Sequence, residues 1–338
     1  MHFHTLPLRR MAALAGASLV AGVAVAQCHQ GYQHTGRTKM SASKFDPKDP
    51  NRLLLAVPKK GRMHAAIIDM LNGSGFDYKR PERLDIAHCR DLPVSIVFLP
   101  AADIATYVSD GNVDLGITGE DIVAESGANV NVLMELGFGK CRLSLQAPKQ
   151  ANITDAKQLA GKRIVTSFPA LTEAFFKKFE TEETGKTNIK CISGSVEAAC
   201  GLGLADGIVD LVETGTTMRA AGLEEISTVL NTQCVLISNP QSKHNELIEI
   251  VRRRLAGYLT ASRFVMITYN VHRAALKEAS LITPGKRSPS IVSLEDSNWV
   301  AVNALVEKKR AAGVMDELER IGATDILTTQ LHSSRMGD

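Results

Sequence analysis

The sequence predicts an α/β protein of two lobes, built from alternating strands and helices, followed by a smaller ferredoxin-like βαββαβ unit. Short apolar runs of strand length alternate with stretches of helical period from position 51 onward. A second such series begins near Cys141, and late strands at 226–230 and 234–237 return the chain to the first, giving a discontinuous two-lobed molecule with a cleft. Beyond Lys243 the order changes to strand, helix, strand, strand, helix, strand.

The first series starts with a strand at 53–57, a basic turn at 59–62 and an amphipathic helix over 63–71 that stops near Gly73. Strands at 94–99 and 113–117 flank a helix at 101–109, and the second of them runs into Thr118-Gly119-Glu120-Asp121. Ligands of open α/β sheets collect at the carboxyl ends of strands, so that turn and the basic turn are expected to share one cleft. The second series reads as a strand at 141–147, a helix opened by Thr154-Asp155, a strand at 163–167, a long helix over 169–184 and a strand at 188–192. Ser195 and Glu197 then open a helix leading to a strand at 208–212. In the tail a basic helix spans 243–261, followed by strand 263–270, helix 273–280, strands 290–294 and 298–306, helix 308–321 and strand 325–330. The expected organisation is a leader over 1–50, a first lobe over 51–140 plus about 231–242, a second lobe over 141–230 and a C-terminal unit over 243–338.

Composition narrows the function classes. A net charge of +3 on 338 residues with 5% aromatics does not point to nucleic acid, and 44% hydrophobic residues allow sizeable cores. Runs such as Arg252-Arg253-Arg254 and Lys308-Lys309-Arg310 fall in helical patterns and read as solvated faces. The cysteines at 28, 89, 141, 191, 200 and 234 form no CxxC or CxxH spacing. That argues for reduced, mostly buried thiols rather than zinc or a disulfide framework. No Ser/His/Asp or Cys/His pairing stands out, so no covalent nucleophile is nominated.

The first 45 residues lack Asp and Glu, carry Arg9-Arg10 and run through an Ala/Val/Leu/Gly segment at 11–26 ending in Ala24-Val25-Ala26. Three readings fit: a secretory signal with an A-x-A site, an organelle transit peptide, or an extension ahead of a start at Met40. The apolar run is short for a membrane span, and no membrane association is expected.

The most informative segment is 197–218, EAACGLGLADGIVDLVETGTTM. An apolar strand is followed directly by Glu213-Thr214-Gly215-Thr216-Thr217, a loop with backbone N–H groups, a glycine for close approach and hydroxyls to complete a phosphate shell. Asp210 and Glu213 repel phosphate but suit ribose hydroxyls or a divalent cation, so the loop reads as a cradle for a phosphorylated sugar. An ordinary helix start has the same residue types, and the loop alone does not separate the two.

The segment resembles the signature of the ATP phosphoribosyltransferase family, which catalyses the first step of histidine biosynthesis. Glu197, Gly203-Leu204-Ala205, Ile208, Asp210-Leu211 and Thr214-Gly215-Thr216-Thr217-Met218 occupy its positions. Blocks at 56–62, 114–119, 137–139, 161–164 and 282–285 are also similar, in order, so the likeness covers about 51–335. The resemblance implies a periplasmic-binding-protein-like catalytic core and transfer of the phosphoribosyl group of phosphoribosyl pyrophosphate to N1 of ATP, with magnesium assisting pyrophosphate departure. It further implies that Thr214, Gly215, Thr216 and Thr217 hold the 5-phosphate, with Asp210 and Glu213 as the catalytic acids near the ribose. Lys60, Gly61, Arg62, Thr118 and Gly119 would face the nucleotide or pyrophosphate; Arg163 and Ser167 flank a strand end of the second lobe, where a cleft role and a structural one fit equally; metal ligands are not indicated.

The tail resembles the family's ACT-like regulatory domain, which implies feedback inhibition by histidine at Asn270, Ser290, Leu305 and Asp325 and a homo-oligomer from dimer to hexamer. An acidic residue would hold the histidine amine better than Asn270 does. A cytoplasmic location is expected, with targeting through residues 1–39 as the alternative. A competing reading is an extracytoplasmic solute-binding protein, which also pairs a signal-like start with two α/β lobes. Such a protein has no need of the 197–218 signature or of a ferredoxin-like tail.

Overall fold

Three apolar strands in a row along the sequence become the middle of a sheet covered on both faces. The first half of the chain forms β1 (Leu53–Pro58), α1 (His64–Gly73), β2 (Ile86–His88), β3 (Val94–Leu99), α2 (Ile104–Ser109), β4 (Leu115–Gly119), α3 (Glu120–Ser126) and β5 (Asn131–Glu135). β1 runs parallel to both β3 and β4, and residues of either face of β1 are buried: Leu53, Leu55 and Val57 under α1, Ala56 under α2. The computed structural model describes residues 49–80 and 84–335. The targeting readings of residues 1–39 therefore lie outside the described residues.

The second sheet contains β6 (Cys141–Pro148), β7 (Arg163–Thr166), α4 (Pro169–Phe176), β8 (Asn188–Cys191), α5 (Ala198–Gly201), β9 (Gly207–Val212), α6 (Thr216–Ala220) and β10 (Leu223–Thr232). Its strand order is β10-β6-β9-β7-β8, with β7 parallel to β8 and β9. The chain then returns as β11 (Cys234–Ser238), which inserts antiparallel between β4 and β5 to complete a first sheet of order β2-β3-β1-β4-β11-β5. The two lobes are therefore joined twice, at 139–141 and at 232–234.

α7 (Asn245–Arg263) follows, and its position differs from the sequence expectation. The sequence groups it with the C-terminal unit, whereas its buried residues Ile248, Val251 and Leu255 lie in the core of the first lobe beside Ile67, Met70 and Leu71 of α1. Arg254 reinforces the contact by donating to Asp91 Oδ2 at 2.5 Å and to the Gly75 carbonyl at 2.9 Å. Gly73 of α1 lies so close to the Tyr258 ring that an added Cβ would sit 2.2 Å from Tyr258 Cε2. A side chain there would push the two helices apart.

The C-terminal unit is β12 (Phe264–His272), α8 (Leu276–Ile282), β13 (Ser290–Ser293), β14 (Trp299–Glu307), α9 (Ala311–Arg320) and β15 (Thr324–Gln330), in the antiparallel order β13-β14-β12-β15. β12 and β14 alternate buried and half-buried residues, the pattern of a sheet with one face on helices. Ile267, Tyr269, Val271, Val300 and Val302 pack with Val314 and Leu318 of α9, and buried Tyr269 satisfies its hydroxyl at Thr283 Oγ1, 2.7 Å away. The βαββαβ order expected from the sequence is present.

Local differences have local causes. The long helix read over 169–184 ends at Phe176, because the following turns are closed by side chains: Thr181 N–H donates to Thr184 Oγ1 and Thr184 N–H to Thr181 Oγ1. The helix opened by Asp155 is a single 3-10 turn over Ala156–Leu159, with Asp155 and Gln158 forming the reciprocal cap. β2 and β5 were not expected; β2 has only three residues, and β5 is an edge strand whose residues are exposed or half-buried, so neither leaves an apolar alternation to read. Among the described residues no helix is long and apolar enough to cross a membrane.

Candidate functional site

Parallel pairing puts the turns after β1 and β4 on one edge of the first sheet, and the turns after β7 and β9 on one edge of the second. These edges meet. Arg62, in the turn after β1, donates through Nη2 to Cys141 Sγ at 2.8 Å and through Nη1 to Glu213 Oε2 at 3.4 Å, directly after β9. The basic turn of one lobe thus touches the acidic start of the Thr-rich loop of the other.

The turn holding Arg62 is shaped by two neighbours. Gly61 has φ of 103°, a conformation other residues adopt only under strain, so it bends the chain between Lys60 and Arg62. His64 Nδ1 lies 2.6 Å from the Pro58 carbonyl; a carbonyl only accepts, so this nitrogen carries the proton and closes the turn. His64 was not singled out from the sequence, where one scattered histidine gives no signal. Lys60 is exposed at the same turn.

On the opposite lobe Gly215 is buried with φ of 74°, and it turns the loop so that Thr214, Thr216 and Thr217 are all exposed. Thr214 Oγ1 and Thr216 Oγ1 lie 3.0 Å apart, and Arg219 Nη2 donates to the Thr214 carbonyl at 3.1 Å. Three hydroxyls and a cation are therefore gathered around one turn. This is the donor set a phosphate needs.

Asp210 sits on β9 just before this loop. Its carboxyl is held above its ordinary range, first by burial and then by the charge of nearby Glu197, against the pull of the Leu211 N–H that it accepts at 2.8 Å and of Arg62. Glu213, by contrast, is exposed. A half-buried carboxylate near a second one favours any ligand that brings donors or positive charge to it, which both ribose hydroxyls and a metal-bound pyrophosphate do.

The turn after β4 is more structural than its residue types imply. Thr118 is fully buried and donates to the Ala101 carbonyl at 3.3 Å, so its hydroxyl faces the lobe interior. Gly119 is required for space: a Cβ there would meet Asp121 Oδ1 at 2.0 Å. Asp121 is buried and bonded to Thr232, whose hydroxyl donates to Oδ1 at 2.7 Å while accepting from the Asp121 N–H at 3.0 Å. Beside this lies a cavity of 280 Å³ lined by Glu120, Lys140, Cys141, Asn231, Thr232 and Gln233. It marks the double crossing between the lobes.

Arg163 is turned to Asp206 and the Gly203 carbonyl, so it braces the signature segment rather than facing the cleft. Ser167 donates to the Ile192 carbonyl at 2.9 Å. Among the described residues no group of three or more His, Cys, Asp or Glu is arranged to hold a metal ion, and Cys89, Cys141, Cys191, Cys200 and Cys234 are free. Burial pushes the Cys89 and Cys234 thiols up to about 12, the state of inert core thiols.

In the C-terminal unit, Asn270 Nδ2 donates to Asp325 Oδ2 at 2.9 Å across β12 and β15. Register and alternation place Leu305, opposite Met266, and Ser290, opposite Asn303, on the same sheet face as Asn270. Asp325 therefore supplies beside Asn270 the carboxylate that Asn270 itself lacks. Its backbone is left-handed, at φ of 53°.

The raised Asp210 carboxyl has a measurable consequence. A carboxyl raised in the folded state favours folding most at pH below its unfolded value, about 4, and loses that advantage as pH rises through the folded value. At pH 8 the charged group therefore costs stability. Asp210→Asn is expected to raise the melting temperature at pH 8 by a few degrees, with the gain vanishing near pH 4, while turnover falls; a lower melting temperature at pH 8 would contradict this.

The chain as a whole is similar to known proteins. A family model described as ATP phosphoribosyltransferase matches residues 100–257, and one described as the HisG, C-terminal domain matches residues 261–333. The ATP phosphoribosyltransferase of Candida glabrata is 50% identical over 298 residues, covering 85% of this chain and 97% of that protein. That of Saccharomyces cerevisiae is 47% identical over 289 residues, with coverage of 85% and 97%. A chain of the ATP phosphoribosyl transferase complex from Thermotoga maritima superposes with a TM-score of 0.52 at 26% identity, covering 60% of this chain and 96% of that one. By relatives matched over nearly their whole length and by models covering both the core and the tail, this chain belongs to the ATP phosphoribosyltransferase family.

Proposed function

We propose that the chain joins its two substrates across the interlobe cleft, moving the phosphoribosyl group of phosphoribosyl pyrophosphate to N1 of ATP and releasing pyrophosphate. The observation that carries this assignment is the meeting of Arg62 with Glu213, which brings the basic turn of one lobe against the Thr-rich loop of the other. Thr214, Thr216 and Thr217 hold the 5-phosphate, with Gly215 allowing close approach. Asp210 and Glu213 accept from the ribose hydroxyls. Lys60 and Arg62 balance the charge of the nucleotide and of the departing pyrophosphate, while Gly119 lets the chain pass close to the nucleotide.

The adenine nitrogen attacks the anomeric carbon as the bond to pyrophosphate breaks, so positive character grows on the sugar and negative charge on the leaving group. Asp210, already short of positive partners, is placed to stabilise the first, and Arg62 the second. The donor chemistry fits magnesium held mainly by substrate phosphates with help from Asp210 or Glu213, where it would neutralise pyrophosphate charge. No step requires a protein nucleophile. With a solute-binding protein the same two lobes would have no use for the paired loops, and that reading is not favoured.

The C-terminal sheet face carrying Asn270, Asp325, Ser290 and Leu305 is proposed as the site where histidine acts as feedback inhibitor, its amine on Asp325 and its carboxylate toward Asn270 and Ser290. The chain is proposed to work in the cytoplasm as a homo-oligomer, dimer to hexamer.

Two experiments test these assignments. With ATP, phosphoribosyl pyrophosphate and magnesium the protein should release pyrophosphate, and Thr217→Leu should raise KM for phosphoribosyl pyrophosphate roughly tenfold or more, as expected for one lost charge-assisted hydrogen bond, with KM for ATP nearly unchanged. Equal rises for both substrates would remove the loop from its proposed role. For regulation, α7 must be kept because it completes the first core, so the chain is ended after Arg263. Turnover should persist and inhibition by histidine disappear; inhibition that survives this truncation would place the effector elsewhere.

A further inference from the structure

α4 begins without a cap from its own lobe. Its N-cap, Phe168, offers no side-chain acceptor, and Pro169 occupies the first turn, so the N–H groups of Ala170 and Leu171 lack intrahelical partners. Both are satisfied from the other lobe. Glu125, on α3, accepts from Ala170 N–H through Oε1 at 2.8 Å and from Leu171 N–H through Oε2 at 2.9 Å. One carboxylate thus caps a helix across the cleft, with its charge at the end of the helix that favours it.

Residues on the same helix add to the contact. Asp121, one turn earlier, holds Thr232 at the crossing between lobes, and Ile122 packs against the cores of both lobes. α3 itself starts where β4 ends at the cleft. On the far side the connection continues inward: Thr166, buried at the end of β7, accepts from the Phe168 N–H at 2.9 Å and donates to the Val209 carbonyl at 2.7 Å. Val209 immediately precedes Asp210. Short hydrogen bonds on either side of the backbone segment 168–170 therefore link α3 of the first lobe, through the start of α4, to the strand that carries the sugar-facing carboxylate and its loop.

The other polar interlobe contacts fall into two kinds: Thr232 with Asp121 lies at the crossing of the chain itself, about which the lobes turn, while across the cleft Arg62 reaches Cys141 at 2.8 Å and Glu213 at 3.4 Å through an exposed side chain, a geometry that contributes little to fixing an angle. Arg62 and Glu213 must also turn to substrate. Glu125 has no such duty, and its two bonds are shorter, charge-assisted and directed at backbone.

We infer that Glu125 is a positioning residue for the transfer reaction: it sets the angle between the lobes, and so the alignment of the phosphoribosyl loop with the nucleotide side of the cleft. This rests on the two substrates being bound on opposite lobes. Each lobe keeps its own binding groups when Glu125 is changed, so substrate affinity is preserved while the reacting atoms lose their alignment. Misplacement of reacting atoms by about 1 Å is enough to cost a hundredfold in rate.

The test compares wild type with Glu125→Gln and Glu125→Ala in the pyrophosphate-release assay, with hydrogen exchange measured at the amides of residues 170 and 171. Gln keeps one acceptor oxygen and the side-chain length, so it guards against a poorly folded Ala variant. Expected are faster exchange at both amides, kcat lowered roughly tenfold for Gln and further for Ala, and both KM values within about twofold of wild type. Unchanged kcat in a folded variant with faster exchange would overturn the inference, as would a rise in KM for one substrate with kcat kept, or a loss that only follows the folded fraction seen by circular dichroism. Wild type that releases no pyrophosphate would instead overturn the functional reading beneath it.

Discussion

The cleft depends on a double crossing of the chain between its two sheets. At one point the end of β4, the start of β6 and the junction of β10 with β11 are pinned together: Cys141 pairs with Thr232, Cys234 with Gly119, and the Cys234 N–H donates to the Phe138 carbonyl at 3.0 Å. Thr232 closes the knot through its bonds to Asp121. Two crossings rather than one give the lobes a shared line about which a hinge closure would turn. The turns after β1 and β9 must then face each other.

Charge at that meeting point explains why the cleft suits highly anionic substrates. Arg62 is a cation shared between the lobes, and its charge is met by Glu213 and the Cys141 sulfur. Asp210 remains partly uncompensated, since burial and Glu197 outweigh what Arg62 and the Leu211 N–H offer. In the proposed reaction the exposed Arg62–Glu213 pair is weak enough to yield to phosphate, while the half-buried Asp210 carboxylate would gain from a hydroxyl-rich or cationic partner.

Much of this was legible in the sequence. Apolar runs located the central strands of all three sheets, because strands buried on one or both faces carry a composition that loops cannot share. The Thr-rich loop was singled out only through the resemblance of the whole 197–218 segment, since the same residue types also start ordinary helices; the left-handed backbone of Gly215 appears only in the fold. What escaped reading was set by tertiary contact. β5 is an exposed edge strand, α7 looks the same in sequence whichever core it enters, and Thr118 resembles a cleft residue until its hydroxyl is seen to point at Ala101. Glu125 is one glutamate on a short helix, and only the fold brings it to the start of α4.

The central claim is that the sugar phosphate and the nucleotide lie on opposite lobes, joined at the Arg62–Glu213 contact. The most direct measurement is a crystal structure with magnesium, phosphoribosyl pyrophosphate and a non-reacting ATP analogue. The account predicts the 5-phosphate within hydrogen-bond distance of Thr214, Thr216 or Thr217, the ribose against Asp210 or Glu213, and the nucleotide phosphates near Lys60 and Arg62. A 5-phosphate bound at Lys60 and Arg62 with the Thr-rich loop empty would contradict it.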